Sequence, residues 1–131
     1  MCLKVDLDQK VNKRKTTVYK RVIYIGGGIF QTPYQYKNIK GGWFKTEEPH
    51  IKSKDVYDRQ LIHGGAIHAY AKHSDAKERV NFLGGFLLKC KVNPKDFIAY
   101  GTNKDIAYSK IFIPKSELDK VRKQAKEIHG Y

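Results

Sequence analysis

Three shortages narrow this 131-residue chain before any motif is read. No apolar run approaches the roughly 20 residues that a membrane-spanning helix needs, so a membrane span is not expected. The opening Met1-Cys2-Leu3-Lys4-Val5-Asp6 lacks the apolar core of a secretory signal. Cysteine is nearly missing: Cys2 lies near the terminus and Cys90 alternates with apolar residues. Two such thiols frame no disulfide scaffold and no metal site, and they suit a reducing compartment. The expectation is an intracellular, cytoplasmic protein without a metal or other cofactor. The most localised shortage is of acid, because no Asp or Glu occurs between Gln9 and Thr46.

What is present fits a single domain over residues 1–131. With 40% hydrophobic and 30% charged residues, the chain can bury about two-thirds of its extended surface. The net charge of +13 is the strongest global signal. A field of that sign recruits nucleic acid, anionic membrane or acidic protein partners. Lysine far outnumbers arginine, which codon bias also produces, so a merely solvated basic surface stays open as the alternative.

The acid-free stretch holds Lys10, Lys13, Arg14, Lys15, Lys20, Arg21, Lys37, Lys40 and Lys45. Tyr19, Tyr24, Phe30, Tyr34, Tyr36, Trp43 and Phe44 are interleaved with them. Cations neutralise phosphates and flat rings stack on bases, the latter worth on the order of 1–3 kcal/mol per base. Thr32-Pro33 and Lys40-Gly41-Gly42 carry turn chemistry, which projects Tyr34, Tyr36 and Trp43 from loops. Some of these rings must also build the core of so small a domain. The phosphate contacts expected are Lys13, Arg14, Lys15, Lys20 and Arg21, with Lys37 and Lys40 in support. Tyr34, Tyr36 and Trp43 are the expected stacking rings.

Local patterns sketch the fold. Leu3 to Leu7 and Thr16 to Ile25 read as strands, the second ended by Gly26-Gly27-Gly28. That triple glycine matches neither phosphate-binding glycine pattern and reads as a turn. Glu47 to Asp58 reads as a loop or short helix, and Ser74 as the N-cap of a short central helix. Phe86 to Val92, Phe97 to Tyr100 and Ile106 to Ile113 read as three strands of an antiparallel meander. Ser116 reads as the cap of a last helix with the stripe Leu118, Val121, Ala125 and Ile128. The expected class is α+β: a twisted, mostly antiparallel sheet with a short central helix and a C-terminal helix.

Three of the five histidines, His63, His68 and His73, stand five residues apart around Gly64-Gly65. That spacing fits neither one helical face nor one strand face, and no further ligand pattern accompanies it, so a metal site is not expected. His63 or His68 can serve as a general acid or base, with Lys72 nearby, or His68 can simply be a hydrogen-bonded, partly buried residue.

Several short motifs resemble those of small proteins from phages and bacterial mobile elements. They are Tyr19-Lys20 on the first long strand, Thr32-Pro33-Tyr34-Gln35, Ala66-Ile67-His68-Ala69 after Gly65, and the strand-turn-strand from Asp96 to Ile113. The resemblance spans residues 17 to 114 and implies an α+β domain. More remotely it implies a split-sheet core similar to ADP-ribosyltransferases and RNA 2′-phosphotransferases. An enzyme of that kind would use Arg21, Tyr70 and His68, with His63 beside them. The late glutamate of such transferases has no counterpart between Leu83 and Pro114. The leading expectation is a non-enzymatic binding protein that engages nucleic acid or a nucleic-acid-handling host defence complex. The alternatives are an enzyme acting on NAD or RNA, and an inhibitor that binds an acidic host protein.

Overall fold

A computed structural model describes residues 3–6, 16–33, 37–45, 50–54, 60–63, 67–101 and 104–130. These form 12 strands in one sheet: β1 (Leu3–Asp6), β2 (Thr17–Gly26), β3 (Ile29–Gln31), β4 (Asn38–Ile39), β5 (Gly42–Lys45), β6 (His50–Lys54), β7 (Gln60–His63), β8 (Ile67–Tyr70), β9 (Phe86–Lys91), β10 (Phe97–Gly101), β11 (Asp105–Tyr108) and β12 (Lys110–Ile113). Helix α1 (His73–Leu83) lies mid-chain and α2 (Lys115–His129) closes it. The chain is a mixed α+β protein, and every strand pairing among the described residues is antiparallel.

The sheet runs β5-β12-β9-β2-β8-β11-β10-β1-β7-β6, with β3 and β4 branching from β2. Strand β2 is its axis because its ten residues are rich in β-branched and aromatic side chains and six of them pair with β9. Val18, Val22 and Tyr24 go into the core with Leu88 and Cys90 from β9, Val92 just after it, and Ile67 and Ala69 from β8. Each such aliphatic side chain, fully buried, contributes roughly 1.5–3 kcal/mol. Register 26 to 29 leaves Gly27 and Gly28 as a two-residue hairpin loop, both at positive φ, as a type I′ turn requires.

Four local expectations change. The meander forms only in part: β10 pairs with β11, but β9 pairs with β2 and β12, and three strands separate it from β10. The strand expected over Ile106 to Ile113 breaks at Ser109, whose N–H donates to Asp96 O at 2.9 Å. β11 and β12 therefore fall on opposite sides of β2 although one residue joins them, which requires the sheet to coil strongly around its core. Part of the polar segment after Glu47 is strand β6 rather than loop or helix. Neither helix uses the expected serine cap: α1 follows Lys72 and α2 follows Pro114, without side-chain capping. Pro114 needs no N–H at that position and fixes φ, which explains why α2 begins before Ser116.

Helix α2 buries Leu118, Val121 and Ala125. It runs beside β9, where Glu117 Oε1 accepts the Lys89 N–H at 3.2 Å, just beyond the single Phe112–Lys91 pair that joins β9 to β12. Helix α1 packs on β2, β8 and β9 and buries Ala76 completely.

Candidate nucleic-acid interface

Strand register decides which side chains share a surface. Trp43 pairs with Phe112 and Lys45 with Lys110 across β5 and β12. Phe112 pairs with Lys91 across β12 and β9. Lys91 pairs with Thr17, and Lys89 with Tyr19, across β9 and β2. Directly paired residues point to the same side of a sheet, so these residues form one continuous face, opposite the core. Trp43, Lys45, Lys89 and Lys91 are exposed on it, while Lys110, Phe112, Thr17 and Tyr19 are half-buried. The pairings that define this part of the face contain no acid.

The rings are held rather than loose. Trp43 is 55% exposed, yet Phe112 meets it edge-on at 5.4 Å and Lys110 Nζ stands 4.9 Å from its centroid. Such a cation–π contact contributes about 0.5–1 kcal/mol at an exposed site. Tyr19 packs edge-on against His73 at 5.3 Å, where α1 begins to cover the sheet. Beyond that line the face continues through Tyr70 to Asp105, partly beneath α1. The basic aromatic surface is thus bounded by α1 on one side and by the last strand of the sheet, β5, on the other.

The expected phosphate contacts fare differently. Lys20 and Arg21 are 5% and 8% exposed and cannot reach a phosphate backbone. Lys20 alternates into the core face beside Leu88, and burial lowers its pKa to about 8, with Arg21 adding to the effect and Cys90 opposing it. Arg21 Nη1 donates to Gly84 O at 3.0 Å and so ties β2 to the end of α1. Lys13, Arg14, Lys15, Tyr34 and Tyr36 lie outside the described residues. Lys40 is exposed, Lys37 is half-buried, and Trp43 is exposed at the border of the patch, on strand β5 rather than on the expected loop. Lys45, Lys89, Lys91 and Lys110 complete the surface but were not among the residues singled out. Alternation over Phe86 to Val92 already put Lys89 and Lys91 on one side. The pairing of β9 with β12 and β5, which brings them to Trp43, had no local signal.

The histidine stretch is dispersed. His63 ends β7, which lies four strands from β8, about 19 Å at the usual strand spacing of ~4.8 Å. His68, Tyr70 and Arg21 do share a sheet face, and His68 Nδ1 lies 3.5 Å from Asp105 Oδ2. That carboxylate can orient the imidazole, but Arg21 is committed to Gly84 O instead of facing a substrate. Among the described residues no group of three or more His, Cys, Asp or Glu could hold a metal. No helix among them is long and apolar enough to cross a membrane.

Fold and surface together define an antiparallel α+β protein that presents lysines and a tryptophan on an open sheet face. Comparison with protein-family models, with curated proteins and with solved structures finds no match.

Proposed function

We propose that this chain is a non-enzymatic nucleic-acid-binding protein whose contact surface is the outer face of β5, β12, β9 and β2. The observation that supports this most is the register that sets Lys45, Lys110, Lys91 and Lys89 around Trp43 and Phe112. Lysines supply sequence-independent affinity for phosphates, and an exposed indole supplies a stacking surface. An acidic protein would match the charge and could bury the Trp43 ring as well, so binding to oligonucleotides is what separates the two readings.

The test is fluorescence anisotropy with labelled oligonucleotides over a salt series. Four lysine–phosphate contacts give a slope of log affinity against log salt near about −3, at ~−0.7 per contact for single strands. The double variant Lys89→Glu/Lys91→Glu is expected to weaken binding and flatten the slope to about −1.5, because two contacts are lost. Absent binding, or binding indifferent to salt, overturns the proposal.

A further inference from the structure

We infer that this face takes single-stranded nucleic acid, with one base stacked on Trp43 and a short site of about four nucleotides, the low end of what one OB-fold module covers. The inference rests on the nucleic-acid reading above. Duplex readers insert a helix or a two-stranded ribbon into a major groove about 12 Å wide. The exposed face here spans four strands, about 14 Å between outer strand axes at ~4.8 Å per step, before side chains are added. Helix α1 is the narrow element beside it, but there Asp75 and Glu78 offset Lys77 and Arg79, so α1 brings no net charge to hold it in a groove.

A duplex lying across the lysines would set a phosphate against the Trp43 ring and leave its stacking surface unused. An unpaired strand uses both features. Its backbone follows the lysines across the strands, and a splayed base covers the half-exposed indole. Lys89 and Lys91 stand two residues apart on one strand, roughly 7 Å, so they can meet different phosphates. Lys110 already sits against Trp43 and can reach the phosphate beside the stacked base.

Trp43 is the only tryptophan in the sequence, so its intrinsic fluorescence reports on the site directly. The experiment titrates the full chain with short oligo(U), oligo(dT) and a duplex of equal length, with Trp43→Ala and Trp43→Phe alongside. The expected result is quenching by the single strands and weaker, unquenched binding of the duplex. The variants lack the fluorophore, so their affinities and that of the duplex are read by anisotropy of end-labelled strands: Trp43→Ala should lose about 5- to 150-fold in single-strand affinity, the range for one stacked base, while Trp43→Phe restores part of it. The duplex affinity should be indifferent to both changes. Equal duplex binding without quenching, sensitive to Lys89→Glu, overturns the single-strand inference and leaves the broader reading standing. Failure of every nucleic acid to bind removes both.

Discussion

Replacing Gly85 with alanine is expected to cost on the order of 3–5 kcal/mol, enough to consume a large share of a small domain's stability. Gly85 has φ +100°, a region where a Cβ strains the backbone by about 1–3 kcal/mol. An added Cβ would also lie 2.5 Å from the Val22 carbonyl oxygen and 3.5 Å from Arg21 Cγ. The first obstacle is backbone, so relief requires moving β9 away from β2. Val22 and Phe86 form the pair next to Gly85, which places the damage in the sheet's longest ladder. Gly84 provides the control, because it has φ +83° but nothing within 4 Å of an added Cβ. Gly84→Ala should pay only the conformational cost, about 1–3 kcal/mol. Urea titrations followed by circular dichroism would measure both. Equal losses at the two positions would show that the close approach to Val22 carries no energy.

That glycine pair also links fold to surface. Arg21 reaches the Gly84 carbonyl from β2, so the end of α1 is fixed over the inner part of the sheet face. The outer part, from Lys89 to Trp43, is left open. A shift of α1 towards β9 would cover Lys89, so a Gly85→Ala protein that still folds should bind nucleic acid less well. Anisotropy on the refolded variant checks this.

The sequence was most informative where structure is local. The two faces of Thr17–Gly26, the glycine turn after it and the first three positions of the α2 stripe each follow from a period or a backbone requirement within a few residues, whereas Ile128, the fourth position, is exposed. The cues failed where pairing partners are distant. Nothing near Ser109 shows that the chain crosses from one side of β2 to the other there, because the cause is the coiling of the whole sheet. The basic aromatic surface was legible as composition, an acid-free run with rings, but not as a set of residues. Parity separates Lys20 from Arg21 but does not say which side is the core, and only the covering helix explains why Arg21 is buried as well. Charge by itself does not distinguish a lysine that meets solvent from one that a strand's alternation forces inward.

Lys20 is the largest departure from simple burial rules, and its removal should stabilise the protein. The side chain is surrounded by core residues, and burial lowers its pKa from 10.5 to about 8. Keeping the ammonium charged inside at pH 7 therefore costs up to roughly 3 kcal/mol, at 1.36 kcal/mol per pKa unit. Lys20→Met keeps the length and removes the charge, so its melting temperature at pH 7 should rise on the order of 10 °C. The pH profile supplies the sign. Between about pH 8 and 10.5 the folded chain has lost the Lys20 proton and the unfolded chain has not, so stability rises with pH. Cys90 acts oppositely: burial raises its pKa from 9.0 to about 12, although Lys20 lowers it. Its contribution is complete below pH 9 and is lost as pH climbs through 12. Tyr108, raised by burial from 10.0 to about 12 with Tyr100 assisting, adds a second loss above pH 10. Wild-type stability should therefore rise from pH 8 to 9, level off, and fall beyond 10. Lys20→Met should show only the fall, and Cys90→Ala should let the rise continue past pH 9. Because Lys20 faces the core, Lys20→Met should leave nucleic-acid affinity unchanged while Lys89→Glu lowers it. A loss of binding in Lys20→Met without a loss of stability would place that ammonium on the surface after all.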